Sequence, residues 1–152
     1  MRQENLIQVQ HDDFDISALY HFLQADNVED GAVATFLGAV RAKNLGDNVT
    51  GLTLEHYPGM TEKSLNDIVV QARERWDINR VVIVHRVGAL QLGDNIVFVG
   101  VTSPHRGNAF DACEFMMDFL KTRAPFWKKE STSEGDRWIE ARDSDAQKAS
   151  QW

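Results

Sequence analysis

Residues 80–125 read RVVIVHRVGALQLGDNIVFVGVTSPHRGNAFDACEFMMDFLKTRAP. Two apolar, β-branched runs, Arg80–Val87 and Asn95–Thr102, are joined by a turn containing Gly93-Asp94. Runs that are apolar at successive positions, not alternate ones, predict strands buried on both faces. Ser103-Pro104 then predicts a helix start, with a capping hydroxyl followed by proline at the first helical position. The helix is expected to run to about Arg123, where Pro125 stops it. Phe110, Cys113, Met117 and Leu120 form one apolar row, and Ala109, Ala112, Met116 and Phe119 lie beside it. So broad a stripe predicts a well-buried helix.

Working outward, Gly31–Arg41 (GAVATFLGAVR) reads as a further strand and AKNLGDN, residues 42–48, as a loop. From Val49 to Tyr57 the chain alternates, with Leu52, Leu54 and His56 on one face and Thr53, Glu55 and Tyr57 on the other. Pro58-Gly59 breaks that strand. Thr61 is the expected cap of the next helix, with Met60 and Leu65 as a hydrophobic staple and Leu65, Ile68, Val69, Ala72 and Trp76 at helical spacing. A first helix is expected after Asp15 or Ser17. FWKKEST and DRWIEA, around Ser133-Glu134-Gly135, predict a hairpin over residues 126–142. The expected order is α-β-β-α-β-β-α-β-β, an α+β fold with largely antiparallel pairing.

The chain has 152 residues, which predicts one domain spanning 1–152 with a full core. No apolar run approaches the roughly 20 residues of a membrane span. The polar, acidic N-terminus MRQENLIQVQHDDFD has no signal-peptide core, so a cytoplasmic location and no membrane association are expected. The net charge is −7, of which residues 1–30 carry −6. With a pI near 5.1 and no basic stripe, nucleic acid is not the expected partner. An acidic chain that gathers cations locally suits a small anionic ligand.

No GxGxxG, Walker, GxSxG or HExxH pattern is present, and the five histidines share no metal-ligand spacing, so no metal site is expected. A single cysteine, Cys113, among apolar neighbours reads as a buried structural thiol. His105 and Arg106 stand at a helix N-terminus, where backbone N–H groups favour an anion; a capping turn with two solvated side chains is an equal reading. Lys121, Lys128 and Lys129 flank the APFW break. The last helical turn favours a cation at Lys121 in any case. Phe126 and Trp127 could also wall a lysine into a dry pocket that lowers its pKa for acid–base work. Arg41, closing a strand, reads by itself as a surface residue.

Taken together, LEHYPGMTEKSL, VVIVHRVGALQLGDNIVFVGVTSPHR, FMMDFLKTRAPFWKKE and EGDRWIEAR resemble the large, catalytic subunit family of molybdopterin synthase (MoaE), from about Glu29 to the C-terminus. Residues 1–28 carry little of the likeness. The resemblance implies an α/β hammerhead fold with an additional antiparallel β subdomain. It implies an enzyme that converts cyclic pyranopterin monophosphate (precursor Z) to molybdopterin by installing two dithiolene sulfurs. A small ubiquitin-like sulfur-carrier subunit would bring each sulfur as a C-terminal glycine thiocarboxylate. Large subunits would pair as a homodimer within a heterotetramer. No cofactor is implied.

The resemblance places the family's essential lysines on Lys121 and Lys128, its anion-binding pair on His105 and Arg106, and its strand-end arginine on Arg41. An arginine reaching in from the second protomer falls on Arg142. Further substrate contacts fall on Ala39, Val40, Lys129 and Glu130. The family commonly has a basic or polar residue at the position of Ala39, so only backbone contacts survive there. Two rivals weigh less. A non-catalytic adaptor for a ubiquitin-like tail would have no use for the lysines and the His-Arg pair. A phosphate-ester hydrolase would need a metal cluster or a positioned nucleophile that the sequence does not show.

Overall fold

The computed structural model describes residues 3–44, 47–139 and 143–152. The elements are β1 (Glu4–Gln10), α1 (Ile16–Gln24), β2 (Ala32–Ala39), β3 (Lys43–Asn44), β4 (Asp47–His56), α2 (Met60–Arg75), β5 (Arg80–Arg86), β6 (Gly88–Gln91), β7 (Asn95–Ser103), α3 (Arg106–Arg123), β8 (Phe126–Thr132), β9 (Gly135–Ile139) and α4 (Asp143–Ala149). They form two sheets. The first has the order β1-β5-β7-β2, in which β1 and β5 are parallel and the other pairs antiparallel. The second is antiparallel, with order β3-β4-β8-β9 and β6 also paired to β4.

The doubly apolar strands are explained by what covers them. Val81 and Ile83 of β5, with Val97, Val99 and Val101 of β7, pack under α2 and α3. Val82, Val84 and Phe98 point the other way, onto Leu19 and Leu23 of α1. Helices on both faces leave these strands no polar side. A third cluster, Val40, Leu52, Leu54, Val87 and Leu90, joins the two sheets. Where β5 turns into β6, Gly88 has φ +89, and a Cβ there would sit 2.8 Å from the His11 ring. Only glycine fits that corner without strain.

The α+β architecture with an added antiparallel sheet agrees with the expectation, but several local details differ. β1, β6 and α4 were not expected. The expected loop over 42–48 contains β3 and the start of β4. Helix α2 is capped at Gly59, not at Thr61. The Glu62 carboxylate accepts the Gly59 N–H at 2.7 Å. Thr61 lies inside the helix, fully buried, where its hydroxyl accepts from the Tyr57 N–H and donates to the Pro125 carbonyl. Met60 is exposed, so its staple with Leu65 does not form. Helix α3 begins at Arg106, because Ser103 is held in β7 and its hydroxyl donates to the Asp77 carbonyl at 2.7 Å. Phe110 is 64% exposed, so the buried stripe of α3 runs without it.

Candidate active site

A cavity of about 510 Å³ opens where the end of β2, the last turn of α3, the inner face of β8 and α4 meet. Each wall follows from local chemistry. The register of β2 against β7 slips between Gly38 and Ala39, and the chain leaves the sheet there. Val40 is then pinned by its N–H to the Asp94 carbonyl at 2.9 Å and its carbonyl to the Gly93 N–H at 2.8 Å. Those bonds bury Val40 and leave Arg41 exposed at the cavity mouth. Lys121 stands exposed in the last turn of α3, where a cation also suits the carbonyl ends. Ala124 and Pro125 end the helix and deliver the chain directly into β8.

Strand alternation decides which residues of β8 take part. Phe126, Lys128 and Glu130 line the cavity, with Lys128 half-buried. Trp127 and Lys129 face the other side, Trp127 half-exposed and the Lys129 ammonium 5.7 Å from the centre of the Trp138 ring. Lys129 therefore cannot join Lys128 in the cavity, and Trp127 does not wall a lysine there. Glu130 is buried and meets Arg137, with Oε2 3.4 Å from Nη2. Asp145 of α4 adds a second carboxylate to the wall.

Of the expected substrate residues, the structure brings together Ala39, Val40, Arg41, Lys121, Lys128 and Glu130. His105 and Arg106 are exposed at the other end of α3. Fifteen helical positions separate Arg106 from Lys121, about 22 Å along the axis. Arg142 lies outside the described residues. The cavity thus mixes three cations, Arg41 past the end of β2, Lys121 of α3 and Lys128 of β8, with apolar walls from Phe36, Leu37, Leu120 and Phe126. Such a lining suits a flat, partly apolar molecule that carries negative charge.

Comparison with known proteins places the chain in a family. The MoaE protein family model matches residues 9–123. The molybdopterin synthase catalytic subunit of Escherichia coli strain K12 is 60% identical over 98% of this chain and 99% of its own. That of Salmonella typhimurium is 64% identical over 91% and 92%. The chain belongs to the MoaE family. The solved MoaE protein from Burkholderia ambifaria, 50% identical, superposes with a TM-score of 0.83 over 97% of each chain.

Two features of this MoaE-family chain bear on its chemistry. Burial pushes the Cys113 thiol up to about 12, with the nearby Glu114 adding to the effect, so the sulfur stays protonated and inert. No group of three or more metal-ligating side chains occurs among the described residues. Sequence reasoning missed two titratable residues of the cavity, His85 and Asp145. His85 was hidden in an apolar run, although counting in twos from Val81 and Ile83 puts it on the α3 side of β5. Asp145 lies in a polar stretch with no distinguishing pattern.

Proposed function

We propose that the cavity is where precursor Z receives sulfur from the thiocarboxylate tail of a small ubiquitin-like subunit. The chain is a catalytic subunit of molybdopterin synthase, an enzyme of molybdenum cofactor biosynthesis. The observation that carries the site assignment is the convergence of Arg41, Lys121 and Lys128 on one cavity. Both reactants are anions. At ~4 Å separation two unit charges repel by about 4 kcal/mol at an effective dielectric near 20. A site that joins them must therefore supply cations. Lys121, exposed at the helix end, pins the incoming carboxyl terminus. Lys128, half-buried, steadies the oxyanion that develops as sulfur is transferred. The backbone of Ala39 holds the pterin against the apolar wall, to which Val40 adds its side chain. The inert Cys113 supports a route in which the partner, not this chain, brings the sulfur.

His105 and Arg106 are too far along α3 to reach this cavity within one chain. They serve the substrate phosphate when a second copy of the chain sets its α3 N-terminus against the cavity, with Arg142 crossing in the same way. The test is reconstitution of the purified chain with thiocarboxylated partner and precursor Z, measuring dithiolene product. Wild type should turn over. Lys121→Ala and Lys128→Ala should each lose about a hundredfold or more, the cost of a removed oxyanion donor. Mixing Lys128→Ala with Arg106→Ala protomers should restore up to half the activity per heterodimer. Activity of both lysine variants within a few-fold of wild type defeats the assignment.

A further inference from the structure

We propose that the buried imidazole of His85 binds the pterin ring of the substrate, its Nε2 accepting a hydrogen bond from a ring N–H. This rests on the reading of the cavity given above. His85 is only 3% exposed, yet it forms part of the cavity wall. Its Nδ1 lies 2.8 Å from the Arg86 carbonyl. A carbonyl can only accept, so Nδ1 carries the proton and Nε2 is left with the ring's acceptor lone pair. Nε2 has no hydrogen-bond partner among the described residues. Among the same residues, the unpartnered side-chain nitrogens and oxygens that are shut off from solvent are Glu62 Oε1 and Arg80 Nε. Nε2 is not one of them, so it is open to the cavity that the ring borders. Buried acceptors are as a rule satisfied, and an idle one on a cavity wall points to a donor on the ligand.

The ring is held as an acceptor. Burial pushes its pKa down to about 3. The bond to the Arg86 carbonyl opposes that shift, and the positive charges of Lys128, Lys121 and His56 add to it. Its orientation is fixed by a stack on Phe126, with centroids 3.8 Å apart and planes 17° from parallel. An apolar wall and a neutral acceptor thus stand side by side. The other ionisable groups of the wall suit different tasks. Arg41, Lys121 and Lys128 can only donate, which fits the phosphate and the thiocarboxylate. Glu130 is engaged by Arg137. A carboxylate such as that of Asp145 offsets the positive charge that the anionic reactants need; a neutral imidazole does not. A pterin calls for such a group. Its flat face is apolar enough for Phe126, but its edges carry N–H donors that lose water on entry and cost affinity unless they are bonded. A bond made in ground state and transition state alike adds to affinity and not to the rate of sulfur transfer.

The test uses the full chain and precursor Z. Affinity is measured for wild type, His85→Phe and His85→Gln. Phenylalanine keeps the stack and loses the acceptor; the glutamine side-chain oxygen returns one. His85→Phe should bind precursor Z about tenfold more weakly, and His85→Gln should recover most of that loss. In reconstituted enzyme, the KM of His85→Phe for precursor Z should rise by the same factor while kcat stays within about twofold, the reverse of the split expected for Lys128→Ala. If His85→Phe does not fold, wild type decides alone. With isotope-labelled histidine and isotope-labelled precursor Z, nuclear magnetic resonance should show His85 Nε2 without a proton in the free chain. In the complex, Nε2 should couple to a pterin N–H across the hydrogen bond. Affinity of His85→Phe within about twofold of wild type overturns the proposal. So does a glutamine variant no better than the phenylalanine one, a loss confined to kcat, or an Nε2 that shows no such coupling. Any of these, with wild type binding precursor Z and making dithiolene, removes His85 alone. A wild type that neither binds precursor Z nor makes dithiolene defeats the synthase reading of the cavity, and this proposal with it.

Discussion

Strands β5 and β8 both send alternate side chains toward the body of the protein, yet they do opposite things with them. In β5 five consecutive residues, Val81 to His85, are buried, with apolar helices on either side. In β8 only Glu130 is buried, and the inward row is Phe126, Lys128 and Glu130. One strand spends its positions on excluding water; the other keeps a lysine half-wet and a carboxylate covered. The two meet at the His85–Phe126 stack. Lys128 thus stands at the rim of the core, where a charge retains solvent and still has a rigid wall behind it.

That division can be broken most forcefully from the core side. Phe115 is fully buried and meets Trp76, Phe119 and Trp152 edge-on at 5.2, 4.6 and 5.9 Å. Phe115→Ala should cost ~3–5 kcal/mol in urea unfolding. The folded fraction should retain normal turnover. A loss of activity per folded molecule comparable to that of Lys128→Ala would show that the two regions are not separable.

A smaller effect comes where they join. His85 has its folded pKa depressed from 6.5 to about 3. Between those values the unfolded chain binds a proton that the folded chain refuses. Stability is therefore fully present above about pH 6.5 and falls as pH drops toward 3, by up to ~1.4 kcal/mol per pH unit. Urea midpoints at pH 7 and pH 5 should diverge more in wild type than in His85→Phe. Equal divergence in both would remove His85 as the cause. The smallest effect belongs to the outer face of β8. Lys129→Ala should leave turnover within about twofold and cost under ~1 kcal/mol, the scale of an exposed cation–π contact. A large loss of activity would mean that the outward face also meets substrate.

What could be read from the sequence follows the same division. The apolar runs of β5 and β7 and the stripe of α3 are strong signals, because burial on both faces leaves no ambiguity of phase. β1 was not legible, since ENLIQVQ is a half-buried edge strand whose pattern matches no single period cleanly. β6 is four residues long and α4 seven, too short to show periodicity. Ser103-Pro104 misplaced the start of α3 because the serine hydroxyl is taken by Asp77, a tertiary bond that local sequence does not show. Arg41, Lys121 and Lys128 were picked out through the family likeness, and the fold brings them to one cavity. Lys129 could have been set aside by counting in twos from Lys128. The separation of His105 and Arg106 from Lys121 was likewise implicit in the length of the helix that carries them.

The parallel pairing of β1 with β5 bears on the order in which the protein is made. Glu4 lies opposite Arg80 and Gln10 opposite Arg86. On the ribosome β1 emerges early and stays a bare strand while α1, β2, β4 and α2 are synthesised. Its neighbour in the sheet then appears, and β2 waits nearly as long for β7. Closing such long loops is the slow class of folding step. The unpaired edges of β1 and β2 are therefore the surfaces most exposed to wrong partners during synthesis, well before the cavity exists.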